Sequence, residues 1–426
     1  MIKMIQLNKA MFKKLFEKIF GLNMTGPATE LMVASVILNF GVGMVQLFEP
    51  IYLYQKGFGI PSILLFYFGV YLIYFVLLPL GGKFAQRFGY EHAIFYSIPF
   101  WILYFGALAF VGLTPWMIYA AMLMLALSKT LYWPGYHGEF SRYGENFERG
   151  REISGVLVVE NLAMILGPLI GGIILTVANF QVLFFVASII MILSTLPLMI
   201  TAETFLPKFF PYFEMFKLII DKRLSPFVIT NIGFGEDFFT LVMWPMFIYL
   251  ALSQSTFFTG ALVSVSTLVM AVAFLYIGRL DDRIGARAIL KIGTIITFFV
   301  WLMRVFIKMP LSVFAADSLG RISRGLIYIP LIGMVYEYGR KNAVMRTAVI
   351  LEMSLSLGKM ITIALSWFLF MALPSATAWQ GIFVVAAIFA LLYGFGKHIP
   401  FLHMPPMSVD VPKGNPYFRE NIHNKS

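Results

Sequence analysis

Ten charged side chains lie within long apolar stretches of this 426-residue sequence: Lys129, Arg304, Arg321, Arg324 and Lys359 against Glu160, Glu236, Asp237, Asp317 and Glu352. If those stretches cross a bilayer, each charge costs at least ~2.5 kcal/mol on insertion scales. It must then face a partner or a water-filled cavity, and it marks a binding or proton-transfer role by default. Helical spacing sorts these residues into faces. Asp317, Arg321, Arg324 and Tyr328 follow one another at i, i+4, i+7 and i+11 and form one polar stripe. Asp317 and Arg321 make an ion pair, structural or functional, which leaves Arg324 in need of an acid on another helix or of an anionic ligand. Asp237 shares a face with Gly233, Thr240 and Trp244, and Glu236 sits one position around. Adjacent carboxylates in a low-dielectric site cannot both ionise cheaply, so one of them is expected to take up and release a proton, unless each finds its own cation on a neighbouring helix.

Neutral polar groups add to the set. Asn39, Gly43 and Gln46 line one helix face, with Glu49 near its outer mouth, and Glu352, Ser356 and Lys359 line another. Lys129 follows Ser128 deep in a third stretch. The substrate-cavity candidates are therefore Asn39, Gln46, Lys129, Trp244, Arg321 and Arg324, and the proton-coupling candidates are Glu236, Asp237 and Asp317. Arg304 lies near the end of its stretch, where a long side chain can snorkel to the interface, and is given no role. His137, at the end of a helix, reads as a solvated cap. With no cysteine and five scattered histidines, thiolate nucleophiles and Cys-ligated metals are excluded, and no cofactor or metal site is expected. There is no phosphate-binding loop of the Gly-x4-Gly-Lys-Ser/Thr type, and the loops are too short to assemble an enzyme active site at one membrane face.

Composition demands the elements that would carry these groups. Hydrophobic residues make up 60% of the chain and charged residues 12%, about half the usual share of a soluble domain. Apolar runs near 28-53, 60-80, 92-112, 115-134, 153-177, 181-201, 224-251, 257-278, 288-307, 310-336, 346-371 and 379-398 predict twelve transmembrane helices in an all-α polytopic protein. Of the 32 Lys and Arg residues, 25 fall in alternate connections and tails and 2, Lys56 and Lys308, in the others. That bias puts both termini in the cytosol. It also explains the net charge of +11 without nucleic acid.

The chain repeats itself. Gly82, Arg87 and Gly89 recur as Gly278, Arg283 and Gly285, an offset of 196 residues, and Tyr132-x-Pro134 recurs as Tyr328-x-Pro330. Asn39-x-Gly41-x-Gly43 is echoed by Asn231-x-Gly233-x-Gly235. Six helices per copy give two pseudo-symmetric bundles related by an axis along the membrane normal, with a substrate path between them. The expected organisation is a basic cytosolic segment 1-27, a six-helix bundle 28-202, a cytosolic loop 203-223, a second six-helix bundle 224-398 and a tail 399-426.

These motifs resemble the major facilitator superfamily of secondary transporters, whose Gly-x-x-x-Asp-Arg-x-Gly loop follows the second helix of each half. The second copy carries Gly278, Asp282, Arg283 and Gly285, while the first has Gln86 in place of Asp. The resemblance implies that the loop clamps a cytoplasmic gate by charge relay, built from Gly82, Arg87, Gly89, Gly278, Asp282, Arg283 and Gly285, with Asp282 and Arg283 dominant. Gly167, Pro168, Gly171 and Gly172 in the fifth helix look like the Gly-Pro-x-x-Gly-Gly stretch of proton-coupled antiporters. They are either a hinge or a close-packing seam. The expectation is a secondary transporter in the plasma membrane that moves a small organic solute by alternating access, as a proton antiporter. Uptake or exchange of an organic anion is the alternative, and a non-transporting scaffold a more distant one. The expected partners are a small-molecule substrate, a coupling proton and the bilayer. A monomer is expected.

Overall fold

The computed structural model describes residues 27–143, 150–199, 207–307 and 309–404. The basic N-terminal segment, residues 144–149 of the loop after the fourth span, and the tail beyond residue 404 lie outside them. Among the described residues the helices are consistent with twelve spans, seven of them long and apolar enough by themselves to cross a membrane. The first is broken into Pro27–Gln46 and Glu49–Gln55, and Ile60–Phe88, Tyr90–Phe110, Met117–Tyr143, Gly150–Val177 and Phe180–Leu193 complete the first half. In the second half the seventh span is made of Ser225–Ile232, Gly235–Phe238, a π turn over Phe239–Met243, and Trp244–Ala251. Thr256–Ile284, Ala286–Arg304, Pro310–Lys341, Val344–Ala372 and Ser375–Leu391 follow as the eighth to twelfth spans.

The second span shows why such a sequence is helical and apolar all round. Leu65, Leu72, Val76 and Leu80 are exposed along one face, where lipid would lie, while Ile63, Phe66, Val70 and Leu78 are buried opposite. With no water in hydrocarbon to satisfy a free amide, every backbone bond closes within the helix. Helix ends use simple devices. The Asn179 side chain accepts from Val182 N at 3.0 Å at the start of the sixth span, and proline sits in the first turn of the second and tenth. The duplicated loop has a duplicated shape: Gly89 and Gly285 end the second and eighth spans at φ of 111° and 87°, the left-handed region that glycine enters without a Cβ clash.

The halves meet along two pairs of spans, the second with the eleventh and the fifth with the eighth. A Cβ on Gly171 would lie 2.3 Å from Met44 O, and one on Gly167 2.7 Å from Gly43 C, so the fifth span presses its backbone onto the first. Gly260 of the eighth span would meet Pro168 O at 2.3 Å in the same way, and Gly172 faces Thr256 O at 3.2 Å. The Gly-Pro-x-x-Gly-Gly stretch is thus a seam joining three spans, with both halves taking part. Between the halves the linker forms a short helix, Tyr212–Ile219, that buries Glu214, Met215 and Leu218 against the second and eleventh spans. Just before it, Phe210 fills the space beside Gly82.

The seam generates a stability prediction. Gly171→Val forces a branched side chain onto the first-span backbone and should cost about 1–3 kcal/mol. The detergent-purified variant should therefore unfold several degrees below the wild type, whereas Gly106→Val, where a Cβ meets nothing within 4 Å, should leave the midpoint unchanged.

Candidate functional site

A cavity of about 300 Å³ lies between the halves. The first span supplies Asn39, Gln46 and Glu49 to its wall, the second Tyr67, Tyr71 and Tyr74, the fourth Lys129 and His137, the seventh Asp237, the tenth Arg324, and the eleventh Glu352 and Lys359. Rings of Trp101, Trp133, Phe234, Phe238, Phe274 and Tyr328 fill the spaces among them. Three carboxylates face three cations on an aromatic wall.

Breaks in the helices put the charges there. Ile232 O lies where a Cβ on Gly358 would come within 2.2 Å, and Gly235 likewise abuts Gly358 O at 2.6 Å, so the eleventh span nests into the interruption of the seventh. That approach brings Lys359 Nζ to 2.9 Å from Asp237 Oδ2. Arg324 of the tenth span closes on Asp237 Oδ1. One carboxylate thus ties three spans together. The acid on another helix that Arg324 requires is Asp237, and the π turn that follows is the kind of irregularity that gathers at functional sites.

At the end of the bundle that carries the basic loops, the halves are joined by a hydrogen-bonded chain. His137 is 2% exposed; its Nδ1 lies 2.8 Å from Tyr336 Oη and its Nε2 2.9 Å from Glu352 Oε1. Tyr74 donates to Glu352 Oε2 at 2.9 Å, and Phe140 packs on Tyr336 with ring centroids 5.0 Å apart. Two spans of each half, the second and fourth with the tenth and eleventh, converge on this one carboxylate. At the opposite end Gln55 Nε2 donates to Tyr249 Oη at 2.8 Å, joining the first and seventh spans.

Several expected site residues lie elsewhere. Glu236 turns away from Asp237 into the second half, where it accepts from Trp301 Nε1 at 2.7 Å, Thr240 Oγ1 at 2.9 Å and Tyr393 Oη at 3.1 Å. The two adjacent carboxylates therefore do not share a site: successive positions on a helix diverge by about 100°, and each has its own set of donors. Asp317 is held by Arg321 Nε at 2.9 Å and Trp244 Nε1 at 3.0 Å. Asp317, Arg321 and Trp244 belong to that cluster inside the second bundle and do not line the cavity. Arg304 does not snorkel. It is 2% exposed, its guanidinium 4.1 Å from the Trp244 ring and 3.9 Å from the Trp301 ring, in space kept open by Gly320. This double cation–π clamp offsets the removal of the charge from water.

The residues of the expected cytoplasmic gate are described only in part. Arg87 rests over the Phe88 ring at 5.3 Å, and neither it nor Arg283 forms an ion pair among the described residues. Gly82 makes room for Val349 and Phe210, and Gly89 and Gly285 form the turns described above. The backbone puts Gly278 and Asp282 in the eighth span, and the surroundings of both, like those of Glu160, lie outside what the structure describes. The fifth-span residues Gly167, Pro168, Gly171 and Gly172 belong to the seam rather than the cavity. One inter-half contact passes through His137, a residue first read as solvated and in fact buried. Its sequence clue was its place one turn beyond Trp133 and Pro134 on the inward face of the fourth span.

The sequence pattern of the Major Facilitator Superfamily matches residues 21–224 and 226–419. Among curated proteins, the multidrug resistance protein MdtH of Proteus mirabilis is 26% identical over 204 residues, which is 47% of this chain and 44% of that protein; the match spans less than half of the relative's length. Among solved structures, the human organic anion transporter MFSD10 (TETRAN) aligns with a TM-score of 0.59 at 14% identity, over 86% of this chain and 100% of that one. The nucleoside transporter NupG aligns with a TM-score of 0.64 at 12% identity, over 86% and 98%. At these identities the two structures speak for the fold alone.

The cluster away from the cavity has a separate consequence. Asp317→Asn leaves Arg321 without its acid and should lower stability by about 1–3 kcal/mol, seen as a reduced unfolding midpoint. Binding of a cavity ligand, followed by calorimetry on the surviving folded protein, should remain unaltered.

Proposed function

Because the chain belongs to the major facilitator superfamily, a family of membrane transporters rather than enzymes, we propose that it is a proton-coupled antiporter that exports a small organic solute by alternating access. Both termini face the cytosol of a plasma membrane in this reading, in keeping with 25 basic residues on that side against 2 on the other. The two six-helix units, 28-202 and 224-398, rock about the central cavity.

The observation that carries the coupling is the His137–Glu352 contact, with Tyr336 and Tyr74 completing it. The imidazole bridges the two halves through both of its ring nitrogens. A proton taken by Glu352 removes the negative charge toward which the imidazole and the Tyr74 hydroxyl are directed. The contact between the halves weakens and that end of the cavity opens. Return of the proton to the bulk restores the carboxylate and the closure. Asp237, held by Arg324 and Lys359, keeps its charge through the cycle and positions the two cations beside the solute. Export rather than uptake is supported by the name of the multidrug relative and by the Gly-Pro-x-x-Gly-Gly stretch of the fifth span.

The test uses purified protein in proteoliposomes loaded with whichever solute most raises its unfolding temperature in a screen of metabolites and drugs. An imposed pH gradient should drive counterflow of that solute. His137→Gln keeps hydrogen-bonding capacity on a side chain that carries no proton across, and should reduce gradient-driven counterflow while binding persists. Wild-type flux that is indifferent to the gradient would overturn the coupling.

A further inference from the structure

Two of the cavity charges, Glu49 and Lys129, sit within electrostatic reach of each other but form no ion pair among the described residues. Tyr67 directs its hydroxyl to Glu49 Oε2 at 3.5 Å, the Tyr104 hydroxyl also faces this carboxylate, and no cation lies within 4.0 Å of it among the described residues. The Lys129 ammonium stands 5.7 Å from the centre of the Tyr71 ring, with no carboxylate within 4.0 Å. The remaining cavity charges are satisfied within the protein: Asp237 by Arg324 and Lys359, Glu352 by His137.

The two open charges stand in a fixed relation. Tyr67 and Tyr71 are four residues apart on one face of the second span, so their supports are about 6 Å apart along the helix. Glu49 belongs to the first span and Lys129 to the fourth, and both project over that tyrosine face into the same space. Leaving a buried charge unpaired costs several kcal/mol. A ligand of one charge would relieve one of these residues and leave the other in a drier site than before. A ligand that carries both relieves both. The lining as a whole supports the same conclusion, since Glu49, Asp237 and Glu352 balance Lys129, Arg324 and Lys359 and so favour a solute without net charge. Tyr71 and Trp101 offer flat apolar surface for its body.

We infer that the cavity binds a zwitterionic organic solute, with its cationic group on Glu49, its anionic group on Lys129 and an apolar or aromatic body between them. The inference rests on the reading of this cavity as the substrate site and adds to it the charge type of the substrate.

Three probes that share one ring decide it: 4-(aminomethyl)benzoate, which carries both charges at opposite ends of the ring, 4-methylbenzoate, which carries the anion alone, and 4-methylbenzylamine, which carries the cation alone. Isothermal calorimetry on the full chain in detergent at neutral pH should give the zwitterion a dissociation constant about tenfold or more below either relative. In Glu49→Gln the zwitterion should lose its advantage over 4-methylbenzoate and keep the one over 4-methylbenzylamine, and in Lys129→Gln the reverse should hold. A purely structural role for either residue would weaken all three probes together. Equal affinity for the three, or no binding of the zwitterion, overturns the inference on the wild type alone, so a variant that fails to fold does not protect it. A missing response of flux to pH, with the zwitterion preference intact, would count against the antiport reading and leave this one standing.

Discussion

Asp237 accepts a lysine from one helix and an arginine from another, and most of the arrangement around the cavity depends on that one carboxylate. Removing this carboxylate would strand two cations where neither lipid nor backbone can compensate them, so the seventh, tenth and eleventh spans are obliged to stay in register. The seventh span in turn must be interrupted, because an unbroken helix would not let Gly358 nest against Ile232 and Gly235. A local failure of helix geometry is therefore what allows Lys359 to reach its partner. The first span, interrupted between Gln46 and Glu49, sets its own acid at the other side of the cavity.

The second bundle solves the problem of buried charge differently. Glu236 is satisfied by neutral donors from Trp301, Thr240 and Tyr393, and Arg304 by two indole faces. Aromatic rings here serve as counter-groups that need no further charge. Tyrosines do comparable duty along the second span, where Tyr67 stands near Glu49, Tyr71 lies beneath Lys129 and Lys359, and Tyr74 donates to Glu352. One helix face thereby touches groups from the first, fourth and eleventh spans.

What the sequence made legible follows the range of its signals. Apolar run length reads the spans, the alternation of Lys and Arg supports their number, and the recurrence of Gly82 and Gly89 as Gly278 and Gly285 reads the duplication, because these depend on neighbours within one segment. Asp317 with Arg321 was visible for the same reason, at i and i+4. Partnerships between helices were not. Nothing in the neighbourhood of His137 announces Glu352, 215 positions away, and nothing beside Arg304 announces that two tryptophans will enclose it. Adjacency misled where it suggested that Glu236 and Asp237 act together, since side chains one residue apart on a helix point to different surroundings. The tyrosine face of the second span was overlooked because an aromatic stripe in a membrane helix looks the same whether it packs a core or supports charges.

The glycine seam of the fifth span bears on how quickly such a molecule could change shape. Side chains that interlock must leave one set of rotamers and find another before two surfaces can shift, and each exchange adds roughness to the path. Where Gly167 and Gly171 meet Gly43 and Met44, and where Gly260 meets Pro168, main chain rests on main chain with no side chain from the glycines between them. Contacts of that kind are close enough to hold two helices together yet offer little resistance along their length. A membrane protein that must turn over many times a second has reason to keep its moving surfaces smooth, and larger residues at these positions would act as friction as well as strain.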